Sequence, residues 1–283
     1  MRILITGGSG FIGRNLKEYF SEKHEIHAPN HNELDLLNSD QVNSFLAESK
    51  FDIVIHCATW DATRFSKKDP LLIFDNNLKM YFNLAYNHHH YGHMFYFGSG
   101  AEFTRKHWKP LMSESYFGVH IPDDPYGLSK YVMNLHCNIS HNIYNLRLFG
   151  VFGKYEDYWV RFISNIIFQS LQRNAIVVNQ ERRFDYLYIR DLCRIVEHYI
   201  TCPPPRHSTN ICTSNPELLQ TLANRILSIL DIECSVIIRD PGELPEYSGD
   251  NSKLMKDIPD LVFTPLEESI PEVYEWMKSV ADS

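Results

Sequence analysis

Tyr126 and Lys130 lie four residues apart in Pro125-Tyr126-Gly127-Leu128-Ser129-Lys130, and this pairing suits proton transfer to or from an oxygen. A tyrosine hydroxyl has an ordinary pKa of about 10, so it exchanges a proton efficiently near neutrality only where something stabilises its phenolate. Residues i and i+4 share one helix face, so the Lys130 ammonium can sit beside the Tyr126 hydroxyl with no long-range assembly. Two further pieces precede the pair: a serine at a predicted strand end, Ser99, and glycines at Gly7, Gly10 and Gly13.

These glycines fall in Thr6-Gly7-Gly8-Ser9-Gly10-Phe11-Ile12-Gly13, spaced GxxGxxG, between a predicted strand and a predicted helix. In that context Gly7 allows a tight turn, Gly10 a close approach of backbone to a pyrophosphate, and Gly13 close packing of helix on strand. The helix N-terminus that follows, at Phe11 and Ile12, then faces the phosphates. Asp35-Leu36 and His56-Cys57-Ala58 come at loops beyond later strands, where a dinucleotide would run across the sheet.

The elements needed to position these groups are readable in the first half of the chain. Ile3-Leu4-Ile5, Glu25-Ile26-His27-Ala28, Ile53-Val54-Ile55-His56, Met94-Phe95-Tyr96-Phe97 and Tyr144-Asn145-Leu146-Arg147-Leu148 read as buried parallel strands. Helical patterns over 11–22, 39–48, 70–91 and 126–138 separate them, and this alternation predicts an α/β, doubly wound parallel sheet. Beyond Gly153 the order loosens. Helices are expected near 159–172, 218–230 and 266–278, with strands near 176–178 and 184–188, and the Pro203-Pro204-Pro205 run breaks the chain.

With 283 residues, 44% hydrophobic and 13% aromatic, the chain can bury a large core. A formal net charge of -8 argues against bulk attraction to nucleic acid or an anionic membrane. No apolar run is long enough to span a bilayer, and the expectation is a soluble, cytoplasmic protein. Six scattered cysteines with no CxxC pair suggest neither a disulfide scaffold nor a zinc site. His88-His89-His90 with His93 ends a predicted helix, and no metal is expected there.

Taken together, the glycine turn, His56-Cys57-Ala58, Asn77 with Asn83, Gly98-Ser99-Gly100-Ala101, the Tyr126/Lys130 pair and Arg147-Leu148-Phe149-Gly150-Val151-Phe152-Gly153 resemble the extended short-chain dehydrogenase/reductases. Within that superfamily the likeness is to the nucleotide-sugar epimerases, dehydratases and reductases, and it extends over residues 1 to about 195. The resemblance implies a Rossmann domain at 1–153, with a contribution from about 176–202. A smaller substrate-binding α/β domain would be formed by about 154–175 and 203–283. It also implies bound NAD(P), a nucleotide-sugar substrate and a homodimer joined through the tyrosine-bearing helix and its partner.

By the same resemblance Tyr126 exchanges a proton with the sugar oxygen, and Lys130 lowers its pKa and binds the nicotinamide ribose. Ser99 hydrogen-bonds that oxygen and aligns it, while the hydride belongs to the cofactor. Dehydratases of the family follow the hydroxyl residue with Asp-Glu. Here Gly100 and Ala101 occupy those places, and Glu102 falls one place late. Ala101 also stands where the epimerase/reductases that make GDP-fucose carry a cysteine. What survives is reduction of a 4-keto sugar nucleotide, or 4-epimerisation by oxidation and return. A non-catalytic NAD(P)-binding sensor or scaffold is a third reading, disfavoured by the intact Ser99, Tyr126 and Lys130 set.

The stretch Ala28-Pro29-Asn30-His31-Asn32-Glu33-Leu34-Asp35 has no acid directly at the strand end, and Arg14 follows the glycines. This favours NADP(H) over NAD(H), and so a reductase. Arg161, Arg182 and Arg183 are the candidates for gripping a substrate diphosphate, with Ala101 lining the sugar site. Asp191 is read as a helix cap.

Overall fold

The computed structural model describes residues 1–61 and 66–281. In chain order the strands are β1 (Arg2–Thr6), β2 (Glu25–His27), β3 (Phe51–His56), β4 (Tyr91–Ser99), β5 (Ile143–Leu148), β6 (Gly150–Phe152), β7 (Ile176–Glu181), β8 (Arg183–Phe184), β9 (Tyr186–Tyr188), β10 (Ser208–Ile211), β11 (Glu217–Leu218) and β12 (Val236–Glu243). The helices are α1 (Phe11–Phe20), α2 (Ser39–Ser49), α3 (Ile73–Ala85), α4 (Pro125–Cys137), α5 (Phe162–Leu171), α6 (Ile189–Thr201), α7 (Leu219–Ile229), α8 (Ser252–Asp257) and α9 (Leu266–Ala281).

Six strands form the central sheet in the order β10-β5-β4-β3-β1-β2. β1 pairs in parallel with both β2 and β3, and β3, β4 and β5 continue the parallel ladder. β1, β3 and β4 are largely apolar because both faces of the sheet are covered. Alternation divides their side chains: Leu4, Val54, Met94 and Tyr96 join one cluster with Val42 and Leu46 of α2, Met80, Tyr81 and Leu84 of α3 and Met133 of α4. Ile3, Ile5, Ile55 and Phe95 are equally buried and point to the other side. α1 and α6 lie together, with Tyr19 Oη and Lys23 Nζ each 2.6 Å from the Glu197 carboxylate. This is the Rossmann-type arrangement expected from the sequence.

The segment 70–91 departs from the expected single helix. A 3₁₀ turn at Pro70–Leu72 leads into α3, and a second turn at His88–His90 precedes β4. Beyond the helix end the Asn142 side chain donates to the carbonyls of His88 (3.0 Å) and Gly92 (2.9 Å), which holds the approach to β4 in a non-helical path. β10 is an unforeseen sixth strand. Its polar sequence, Ser-Thr-Asn-Ile, carries little strand signal, and Asn145 N–H donates to the His207 carbonyl at 2.7 Å just before it.

The chain divides into two compact units. One comprises Met1–Arg105, Glu114–Leu148 and Cys193–Asn210; the other comprises Lys106–Ser113, Phe149–Leu192 and Ile211–Ser283. The second unit is built from short paired strands, β6 with β9, β7 with β12 and β8 with β11. Polar staples hold its loops. Asp185 accepts from the N–H groups of Thr213 (3.1 Å) and Ser214 (2.9 Å), and Asp191, expected as a cap, accepts from Thr264 N–H (2.8 Å) and hydroxyl (2.6 Å). No helix among the described residues is long and apolar enough to cross a membrane.

Within the second unit Glu156 is buried beside Ser164, whose hydroxyl lies 2.5 Å from its carboxyl, and burial pushes its pKa up to about 8. An acid whose folded pKa exceeds its unfolded one favours folding below the unfolded value, and that contribution is lost as pH rises toward the folded value. Stability should therefore decline from about pH 4.5 to 8 on account of this group. Glu156→Gln is expected to flatten the decline and to be more stable than the parent at pH 9 by roughly 2–4 kcal/mol. Urea unfolding at pH 5 and pH 9 measures this, and an unchanged pH dependence would refute it.

Candidate functional site

The glycine turn closes β1 with Gly7 at φ +68°, a region open to glycine and costly for other residues. A side chain there would also strike the Ala58 backbone nitrogen at 2.7 Å, so the turn lies directly against the loop leaving β3. Between β1 and β3 the sheet order reverses, and loops beyond the strand ends diverge into a crevice at such a point. Gly13 on the first turn of α1 is tighter still, since a Cβ would come within 2.3 Å of the Gly7 carbonyl oxygen. Gly10 caps α1 without a side chain, and no acid lies in the first turn, so the helix start at Phe11, Ile12 and Gly13 keeps its positive end for an anion. Arg14 is next on this helix, exposed and 3.4 Å from Glu18.

The end of β2 meets the same turn, for a Cβ on Gly8 would lie 2.8 Å from the Ala28 methyl. Glu33 closes the following bend by accepting the Asn30 N–H at 2.8 Å. Asp35 is half-buried, accepting from Leu37 N–H at 3.0 Å, while Leu36 is part of the hydrophobic core and its carbonyl accepts from Asn83 at 2.8 Å. Beyond β3, His56 is buried with Nδ1 2.8 Å from the Thr6 hydroxyl, and burial, reinforced by Lys130, lowers its pKa to about 3. It is a neutral ring. Burial likewise raises the Cys57 thiol pKa, so it is no nucleophile. Asn77, buried on α3, fixes this loop by accepting Trp60 N–H (2.7 Å) and the Thr59 hydroxyl (3.2 Å).

At the end of β4, Ser99 is half-buried and its hydroxyl oxygen accepts from Ala101 N–H at 3.1 Å. Ala101 is buried, and its carbonyl would be 2.8 Å from a Cβ on Gly127, so the first turn of α4 seats closely against it. Pro125 starts α4 and Asp124 caps it, accepting Gly127 N–H at 2.9 Å. One turn on, Lys130 is only 5% exposed, and its ammonium donates to the Phe97 carbonyl at 2.8 Å, two residues before Ser99. The ammonium lies 5.8 Å from the centre of the half-buried Tyr126 ring. Burial lowers the Lys130 pKa to about 8, with Glu102, Cys57 and Asp61 acting to raise it. The ammonium is therefore still protonated at neutral pH.

The arginines belong to the second unit. Arg161 precedes α5, and Arg182 holds its guanidinium 5.2 Å from the centre of the Trp108 ring. Both charges act on the half-buried Tyr186 phenol, whereas Arg183 is exposed on β8 opposite Leu218. The histidines at His88–His90 form a surface 3₁₀ turn, and no group of three metal-ligating side chains occurs among the described residues.

A model of the NAD dependent epimerase/dehydratase family matches residues 3–212. The chain belongs to this family. A relative described as a GDP-6-deoxy-D-talose 4-dehydrogenase, from Aggregatibacter actinomycetemcomitans, is 26% identical over 97% of each chain. Among solved structures, the GDP-L-fucose synthetase of Naegleria fowleri bound to NADP superposes with a TM-score of 0.87 at 16% identity, over 100% of this chain and 94% of that one. The UDP-glucose 4-epimerase of Thermotoga maritima with UDP-glucose gives 0.85 at 17% identity, over 99% and 100%. These two likenesses show a shared fold.

For a member of the epimerase/dehydratase family, the residues beneath Ser99 are the part that sequence reading passed over. Glu102, seen only as an acid one place late, is wholly buried. It accepts the Ser99 N–H at 3.1 Å and pairs with buried Arg147 at 2.8 Å. The available signal was Ser99-x-x-Glu102, the pattern of a capping box. Thr6, the partner of His56, carried no comparable signal. The contact between Gly13 and Gly7 yields a prediction about the turn. Gly13→Ala should lower stability by about 1–3 kcal/mol in thermal or urea unfolding, because helix and turn must separate to admit a methyl; parental stability would show that they are not in contact.

Proposed function

We propose that the protein reduces the 4-ketone of a nucleotide-linked hexose, such as a 4-keto-6-deoxyhexose, using NADPH, with Tyr126 giving the proton to the sugar oxygen. The observation that carries the reading is the enclosed Lys130 ammonium, held on the β4 carbonyl below Ser99 and one helical turn from Tyr126. The name of the Aggregatibacter relative, which places its chemistry at C4 of a GDP-linked 6-deoxyhexose, supports it. So do Gly100 and Ala101, which leave the dehydratase and C3/C5 epimerase positions without an acid or a thiol.

The first unit fits a dinucleotide. A side-chain-free cradle at Gly7, Gly10 and Gly13 and the start of α1 at Phe11 and Ile12 suit its pyrophosphate. Arg14 would meet a 2'-phosphate, and Glu33, engaged by Asn30 N–H, does not compete for a ribose diol. Asp35, Leu36, His56, Cys57, Ala58 and Asn77 would flank the rest, with Tyr126 and Lys130 at the nicotinamide ribose. When bound, the reduced cofactor supplies a hydride to the carbonyl carbon. Ser99 and Tyr126 would hold the carbonyl oxygen, Tyr126 would donate its proton there, and the Lys130 charge would stabilise the phenolate left behind. In the second unit Arg161, Arg182 and Arg183 would meet the substrate diphosphate. We place the enzyme in the cytoplasm as a homodimer; exposed Tyr86 after α3 and Leu135 on α4 fit the expected helix pairing.

NADPH oxidation with a panel of nucleotide-linked 4-keto-6-deoxyhexoses tests the reading, and consumption of at least one is expected. NADPH should exceed NADH in kcat/KM by about tenfold or more. Absence of turnover, together with tightly bound copurifying NAD, would favour a 4-epimerase, and cofactor binding without any turnover would favour a sensor or scaffold. Tyr126→Phe should retain NADPH affinity and lose about 10²–10⁴-fold in kcat; unchanged kcat would remove the mechanism. Because the Lys130 ammonium deprotonates as pH rises through about 8, kcat/KM should fall on the alkaline side of that value. Lys130→Met should be slow and show no such limb.

A further inference from the structure

Glu102 has more partners than a helix cap requires. Its Oε1 accepts the Ser99 N–H at 3.1 Å; Oε2 accepts from Arg147 Nε at 2.9 Å and lies 2.8 Å from Nη2 as an ion pair; and Asn145 Nδ2 is 3.2 Å from each oxygen. Arg147 is itself fully buried, lying 4.6 Å from the Phe103 ring centre and donating to Asn210 Oδ1 at 3.0 Å. A surface capping box meets the same backbone N–H without enclosing an ion pair. Removing two charges from water costs so much that well-packed apolar residues would often be as stable, so the pair's location calls for a reason other than stability.

That location is directly under the reactive end of β4. A Cβ on Gly98 would lie 2.2 Å from Glu102 Oε1 and 2.1 Å from Asn145 Oδ1, so this residue must be glycine for the carboxylate to press against the strand. The flanking residues are the ones that matter: the Phe97 carbonyl receives the Lys130 ammonium, and Ser99 offers its N–H to Glu102. We propose that Glu102, clamped by Arg147, is a positioning residue that fixes the Phe97-Gly98-Ser99 backbone beneath Ser99 and, through it, the seat of the Lys130 ammonium on the Phe97 carbonyl. The proposal rests on the reductase reading for its effect on turnover, but not for its effect on Lys130 itself.

Among the described residues, the charged and titratable groups around Lys130 are Glu102 after β4, His56 and Cys57 at the end of β3, Asp61 beyond it, and Tyr126 on its own helix. Around Glu102 they are Arg147 on β5, Lys130 and Cys137 on α4 and Tyr96 on β4. Glu102 favours the charged form of Lys130, whereas burial opposes it.

Two variants of the full chain test the assignment. Glu102→Gln keeps an acceptor for Ser99 N–H and removes the negative charge. The paired variant Glu102→Leu with Arg147→Met removes both charges, so neither partner is left buried alone. The Lys130 titration is followed by NMR of the lysine ¹³Cε in cofactor-free protein, with Lys130→Met assigning the signal. NADPH turnover is measured alongside as a function of pH. In both variants the Lys130 midpoint should move to lower pH. The alkaline limb of kcat/KM should move with it, and kcat should fall about tenfold or more while NADPH affinity changes by less than about twofold. A Lys130 midpoint equal to the parent's in folded variants overturns the proposal, as does failure of both to unfold cooperatively, which would make the pair a folding element only. If the parent turns over no keto sugar, the reductase reading fails, and the NMR midpoint still decides the role of Glu102.

Discussion

An ammonium enclosed at Lys130 must be held by protein oxygen in place of water, and the arrangement of the first unit follows from that requirement. One strand carbonyl, Phe97, accepts a hydrogen bond from it at 2.8 Å. A carbonyl is a dipole and not a counter-charge, so burial draws the proton affinity down, and nearby acidic groups act to restore it. For the phenol on the same helix, a cation poised close to its own deprotonation range is useful: it is charged at neutral pH, yet poorly screened by solvent. Any loosening of β4 would release the carbonyl and, with it, the relation between Lys130 and Ser99.

The glycine turn imposes a second constraint, of space. Gly7 backs onto Ala58, Gly8 onto Ala28 and Gly13 onto Gly7 itself, so β1, β2, β3 and α1 converge with no room for side chains. Backbone groups and a helix start are what remain exposed to a ligand there, and both are suited to phosphate. The turn residues after β3 are fixed by Asn77 and Thr6, while burial keeps His56 neutral and Cys57 unreactive. Such a crevice would hold a ligand by shape and dipoles, and among the groups named for the site Lys130 is the buried one whose pKa lies near neutrality.

How much of this was legible follows from the range of each interaction. The glycine spacing, the apolar strands and the Tyr126/Lys130 pair are local patterns, and each occupies the element it was expected to occupy. The expected helix over 70–91 holds for Ile73–Ala85, and the stretch beyond it is bound by Asn142, 50 residues away from the Gly92 carbonyl that it holds. β10 is polar in sequence and becomes a strand because β5 offers it an edge. In the second unit the strands expected near 176–178 and 184–188 are present as β7 and as β8 with β9, whereas β6, β11 and β12 were not foreseen, the first two being too short for a periodicity to read. Asp191, read as a cap, lies in the first turn of α6, and its bonds to Thr264 are tertiary contacts that no local pattern announces. The pairing of Glu102 with Arg147 spans 45 residues and had no local signal, although the reach of Glu102 back to Ser99 did.

That reach also gives a physical meaning to the acid standing one place late. The two residues following Ser99 lead into a 3₁₀ turn, and the third folds back to its N–H, so a carboxylate at that third place is carried inward beneath the strand. Enclosed there by Arg147 and Asn145, Glu102 is hydrogen-bonded through both oxygens and is fully shielded from solvent. It cannot swing out as an acid or base on a substrate without abandoning a buried guanidinium, a loss of several kcal/mol on the order of that for breaking any buried ion pair. A chemistry that asks for one hydride and one proton, the latter from a phenol, has no need of a second acid on the substrate side. The same carboxylate, turned inward, is then available to stiffen the strand end on which that phenol's partner depends.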